Sequence, residues 1–206
     1  MITSDQLADI LALGHEQRGV EFKGPGSTGD TAFRAKVIRA GLGLTNRRDG
    51  GYIIVGINDK IPASGGPGLD PQQVIEWTNY DNLATWFGEY ADPAFRFEVV
   101  ALQTRQGHTV VAIEVLEFEE IPVLCKRDFG QTLKRGALYT RSHARPETSD
   151  THQHAELREL VDLAIEKGLR RFVERAALAG VSLHPAESLG AGDVEAFADQ
   201  LPEDLA

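Results

Sequence analysis

Gly50-Gly51-Tyr52-Ile53-Ile54-Val55-Gly56-Ile57-Asn58-Asp59 is the stretch that decides the fold of this chain. Residues 52–57 are apolar at successive positions, so a strand built from them needs cover on both faces. That is the pattern of a central strand in a sheet flanked by helices. The paired glycines before it mark a tight turn, and Asn58-Asp59 place polar groups just past its end, where the sheets of α/β proteins meet ligands.

Working upstream, Asn46-Arg47-Arg48-Asp49 closes a helix that Asp30 caps and that carries Phe33, Val37, Ala40 and Leu44 on one face. Before it, Val20-Glu21-Phe22-Lys23 alternates apolar and polar, as a half-buried strand does. Thr3-Ser4-Asp5 caps a short helix with Leu7, Ile10 and Leu11 at helical spacing. Downstream, a Gly- and Pro-rich turn over 58–70 leads to a helix over roughly 71–90. A hairpin of residues 95–102 and 108–116 follows, turning through Arg105-Gln106-Gly107. Residues 121–126 and 137–141 are further strand candidates, and 154–175 has a helical period. The expected fold is α/β (α+β): a mixed sheet with flanking helices over residues 1–176, with 177–206 an acidic tail or linker cut from a longer protein.

A chain of 206 residues, 42% hydrophobic, holds one domain with an appendage. No apolar run approaches the roughly 18 residues of a membrane span, and Met1-Ile2-Thr3-Ser4-Asp5 lacks the positive charge of a signal peptide. The single cysteine, Cys125, makes neither an internal disulfide nor a thiolate zinc cluster. A cytoplasmic protein fits these features. The net charge of −10 argues against nucleic-acid binding over the whole surface. Its distribution is uneven: 121–147 carries Lys126, Arg127, Lys134, Arg135, Arg141 and Arg145 against only Asp128 and Glu147, while 151–206 holds 5 Lys+Arg against 11 Asp+Glu. The basic stretch is a candidate polyanion contact, or else a solvated surface.

Three acids carry the candidate chemistry. Glu16 and Glu21 are five apart, so they converge only if the chain turns between them, and Gly19 gives that freedom. With Asp59 they can form a hard oxygen site for Mg²⁺ or Mn²⁺, the kind that cleaves phosphodiesters. The alternative is three solvated acids, one paired with Lys23. The loop Gly24-Pro25-Gly26-Ser27-Thr28-Gly29 has the frame of a phosphate cradle, but Asp30 stands where the lysine belongs, which favours a loop and a helix cap. Arg47 and Arg48 either complement a helix dipole or contact phosphate. His152 and His154 lack companion metal ligands, and Trp77, Trp86 and Phe87 read as core. No G-x-S-x-G is present.

In this order and spacing, Glu16-x4-Glu21-Phe22-Lys23, Asn46, Gly50-Gly51, the strand 53–57 with Asn58-Asp59, Gly68, Pro122, Leu138-Tyr139-Thr140-Arg141 and the helix bearing Glu156, Leu157 and Leu160 resemble the Schlafen-type AlbA-like domain family over roughly residues 10–165. The resemblance implies nucleic-acid association. In relatives that cut tRNA or rRNA it implies metal-binding acids at the positions of Glu16, Glu21 and Asp59, with Lys23 beside them. This chain departs from the pattern in one extra residue before Gly50, in Gly41 and Gly43 within the helix, and in having no zinc ligands, helicase segment or helix-turn-helix. It has one lobe where animal relatives have two, so a homodimer would be needed to make an equivalent groove.

The leading expectation is therefore an Mg²⁺- or Mn²⁺-dependent endoribonuclease acting on structured RNA ahead of DNA, in phage defence or stress. Glu16, Glu21, Asp59 and Lys23 would be catalytic, and Arg47, Arg48, Lys126, Arg127, Lys134, Arg135, Arg141 and Arg145 would hold the backbone. The alternatives are a non-catalytic nucleic-acid-binding module and a nucleotide-binding switch at residues 24–29. A partner protein could dock on the C-terminal helix or tail, and no membrane partner is expected.

Overall fold

A computed structural model describes residues 1–58, 62, 66–143, 146–150 and 154–181. The chain divides into two compact units, Met1–Lys167 and Gly168–Ala206. The first holds a mixed α/β arrangement. Strands β1 (Val20–Lys23), β2 (Gly51–Val55), β4 (Phe97–Gln103) and β5 (Thr109–Val115) form one sheet in the order β1-β2-β5-β4. β1 runs parallel to β2, and the other pairs are antiparallel. A parallel neighbour needs a crossover, and α2 (Thr31–Thr45) supplies it.

β2 meets apolar neighbours on both sides, as its sequence predicts. Ile53, Ile54 and Val55 are all fully buried. Ile53 and Val55 join a core with α2 residues Val37, Leu42 and Leu44. Ile54 joins the opposite core, under Leu7 and Leu11 of α1 (Ser4–Ala12). α1 starts at a capping box in which Thr3 accepts from the Gln6 N–H and Gln6 reaches back to the Thr3 N–H. The glycine pair before β2 has a steric cause. Gly50 sits at φ 60°, and a Cβ there would fall 2.0 Å from the Val115 carbonyl; one on Gly51 would fall 2.4 Å from the Gly19 carbonyl.

The helix expected over 71–90 is two helices, α3 (Pro71–Thr78) and α4 (Tyr80–Tyr90). Asn79 between them is extended, and its side chain caps the Asn82 N–H. The C-terminal strand candidates shrink to two-residue pieces: β3 (Ala91–Asp92) pairs with β6 (Leu124–Cys125), and β7 (Thr140–Arg141) with β8 (Thr148–Ser149). Asn46 anchors this region, its buried amide bonding both backbone groups of Val123 and the Tyr139 carbonyl. α5 (His154–Leu178) starts where expected. The second unit's described residues comprise the end of α5 and the turn to Val181. Among the described residues no helix is long and apolar enough to cross a membrane.

Candidate functional site

β1 is an edge strand of four residues. Val20 and Phe22 turn into the α1-side core, and Glu21 and Lys23 face the other way. As an edge, β1 exposes one row of backbone groups, and every group in that row has a partner. The Val20 N–H donates to the Gln17 carbonyl at 3.0 Å. The Val20 carbonyl accepts from Arg141 at 3.0 Å. The Phe22 N–H donates to Glu16 Oε1 at 2.7 Å, and the Phe22 carbonyl lies 3.4 Å from Lys23 Nζ. Residues 16–19 bend to make this possible. Gly19 keeps an ordinary backbone; what it provides is closeness, since a Cβ there would lie 3.2 Å from the Arg47 guanidinium.

Arg141, fully buried, is the keystone of the cluster. Its guanidinium donates to Glu21 Oε2, to the Arg18 carbonyl at 3.0 Å and to the Gln17 carbonyl at 3.2 Å. Arg18 answers by donating to the Arg141 carbonyl at 3.1 Å and forking onto Glu159. Glu21 Oε1 meets Lys23. Burial, and after it the Glu21 charge, raise the Glu16 carboxyl above its ordinary pKa, partly offset by the Phe22 N–H. The bend thus does bring the early acids together. They meet two cations there, Lys23 and Arg141, so the cluster has no net negative charge and both Glu21 oxygens are engaged. In this arrangement a divalent ion at Glu21 would have to displace Lys23 or Arg141, since an ion needs free carboxylate oxygens. Among the described residues no group of three or more potential ligands occurs; Asp59 lies outside them.

Beside this cluster opens a cleft of about 370 Å³. Glu21 and Lys23 of β1 form one wall, Lys36 and Arg39 of α2 a second, and Glu147, Thr148 and Ser149 a third. Arg39 donates to the Thr148 carbonyl at 2.7 Å and lies 5.5 Å over the Tyr139 ring. Its Nε is buried and has no hydrogen-bond partner among the described residues. Lys36 is exposed. Three cations face two carboxylates here, and Arg141 neutralises Glu21 from behind. Lys36 and Arg39 belong to none of the motifs above; their signal in the sequence is two basic residues one helical turn apart on α2.

Most of the expected backbone-binding residues that are described are engaged within the protein. Arg141 is a correction: buried and fully engaged, it cannot reach a nucleic acid. Arg47 is half-buried and closes the turn after α2 by donating to the Arg48 and Gly50 carbonyls; burial and the nearby Arg18 lower its pKa. Arg48 pairs with Glu166 at 2.8 Å, Lys134 with Asp150 at 2.6 Å, and Arg127 with Glu89 at 3.7 Å. Lys126 and Arg135 are exposed, with no ion-pair partner among the described residues. Arg145 and His152 lie outside the described residues. At the glycine loop, Glu76 fills the role an anion would take: Ser27 Oγ, the Thr28 N–H and Thr28 Oγ1 all donate to it at 3.0–3.2 Å, while Asp30 caps α2.

No family model matches this sequence, and no curated protein does. Several solved structures are similar to it, two of them as follows. One is the DIP2311 protein from Corynebacterium diphtheriae, 23% identical with a TM-score of 0.45. The other is the N-terminal domain of a protein from Nitrosomonas europaea described as related to the ATP-dependent DNA helicase RecG, 22% identical with a TM-score of 0.42. Each comparison covers 75% of this chain; it spans 27% of the first protein and 100% of the second.

Proposed function

We propose that this domain is a Schlafen-type AlbA-like module that binds nucleic acid non-catalytically, seating the phosphate backbone in the cleft between β1, α2 and β8. The observation that carries this reading is the trio Lys23, Lys36 and Arg39 around a polar cleft of about 370 Å³, with Lys36 exposed. A protein of net charge −10 can hold a polyanion only through such a local concentration of cations. RNA is the favoured ligand, as the family resemblance implies.

Fluorescence anisotropy with labelled tRNA, single-stranded RNA and duplex DNA, over a salt series, tests the reading. Affinity falls as salt rises, and Lys36→Glu weakens binding and flattens the salt dependence by roughly 0.7–0.9 per lost phosphate contact. Equal binding by wild type and Lys36→Glu would remove the cleft from the interface.

The convergence of Glu16, Glu21 and Lys23 favours a second reading, divalent-metal-dependent cleavage of structured RNA. Incubation with total tRNA, with and without Mn²⁺, separates the two. Cleavage that Mn²⁺ switches on and Glu16→Gln abolishes would replace the binding-only reading. Glu16→Gln is the suitable variant because it leaves Arg141 paired.

A further inference from the structure

The two edges of the sheet are treated differently. Side chains plug the β1 edge, as described above. Among the described residues nothing plugs the β4 edge. β4 pairs with β5 without a bulge through seven consecutive residues, Phe97↔Val115 to Gln103↔Thr109. The bonds Leu116 N–H to Arg96 carbonyl and Thr104 N–H to His108 carbonyl fix the phase of the ladder. Residues 98, 100 and 102 therefore bond inward, and the backbone groups of Phe97, Val99, Ala101 and Gln103 point outward. Among the described residues none of these outward groups has a partner. Phe97-Glu98-Val99-Val100-Ala101-Leu102-Gln103 contains no proline or lysine, the usual devices that blunt an edge. Phe97 is buried, while three apolar side chains stand partly exposed on the two faces: Val99 packs against the α2-side core, and Val100 and Leu102 against the α1-side core.

We infer that β4 is a self-association edge, pairing antiparallel with β4 of a second copy about a two-fold axis at Val100. The phase of the ladder and full overlap of the seven residues together set the register. Outward residues must face outward residues, so Phe97 meets Gln103 of the second copy and Val99 meets Ala101, giving about eight interchain backbone bonds. Val100 then meets its own equivalent. Glu98, the only charged residue in the strand, falls opposite Leu102 and not opposite another Glu98, so no like-charge pair opposes the contact. The same segment serves both sides, as a two-fold interface requires. A second copy therefore satisfies every open group, with side chains that suit one another. The cleft lies beside β1, at the far edge of the sheet, and stays open in each copy.

Sedimentation velocity of the full chain over a concentration series tests this. Wild type runs at twice 22.5 kDa in the micromolar range. Ala101→Pro removes one outward N–H, a change an edge strand tolerates, and raises the dimer dissociation constant by roughly tenfold or more, with the circular dichroism spectrum unchanged. Hydrogen exchange on wild type gives a second readout that needs no variant: the amides of Val99 and Ala101 lose protection on dilution, while that of Val100 does not. A monomer at all concentrations would overturn the proposal. So would a dimer that survives Ala101→Pro but dissociates on Ile165→Glu, which would place the contact on the exposed apolar face of α5. Dilution-independent exchange at Val99 and Ala101 would also overturn it.

Discussion

Arg141 combines full burial with five donated hydrogen bonds, to Glu21, Thr148 and three carbonyls of residues 17–20. A buried cation of this kind gains little net energy from its pairing, but removing one partner leaves the others desolvated and unmatched. Arg141→Ala is expected to cost about 3–5 kcal/mol in urea denaturation, far more than Arg48→Ala, whose pair with Glu166 is exposed. Glu16 yields a pH prediction. Its carboxyl titrates above the ordinary value in the folded state, chiefly through burial. The native state therefore holds a proton that the unfolded chain has released, and stability falls as pH rises through the interval between the two pKa values. Glu16→Gln keeps an oxygen for the Phe22 N–H and removes the titration. Stability of the variant should gain on wild type as pH rises from 4 towards 7; an unchanged difference across that range would refute the assignment.

Among the elements, α2 shows how a feature that looks unfavourable locally can be required globally. Gly43 lowers helix propensity by about 1 kcal/mol relative to alanine, yet it is the point where β8 crosses the helix. A Cβ at Gly43 would lie 2.6 Å from Thr148 Cγ2, and Thr148 is held in place because Arg39 grips its carbonyl. Crowding of this kind costs about 1–3 kcal/mol, so Gly43→Ala is expected to destabilise despite its better propensity. Gly43→Ala with Thr148→Ala should recover part of the loss, as a double-mutant cycle would measure. Elements with a strong period or an apolar run on both faces were legible: α1, α2, β2 and the β4–β5 hairpin stand where the pattern put them. The break at Asn79 was not, because apolar spacing continues across it and only the cap on Asn82 interrupts the helix. The segments 121–126 and 137–141 have strand-like composition, but their backbone groups are spent on Asn46 and on one another, leaving two-residue pairings.

Over the whole molecule, the charge balance sets how a polyanion would arrive. With a net charge of −10, the chain repels RNA at distances beyond the cleft, and salt screens that repulsion over about 8–10 Å. In stopped-flow measurements the association rate should rise with added salt, while the dissociation rate rises more, so that affinity still falls. A protein steered by a basic surface would show association slowing with salt. The sequence by itself determined the sheet-and-helix alternation and the central place of β2, because periodicity and apolar runs are local properties of the chain. Only the tertiary structure decided that Glu16 approaches Glu21 and what the two meet. Arg141 comes from 120 residues away to occupy Glu21, and α2 brings Lys36 and Arg39 to the cleft wall. Contacts between distant segments depend on how the closed fold brings them together, and no spacing along the chain encodes them.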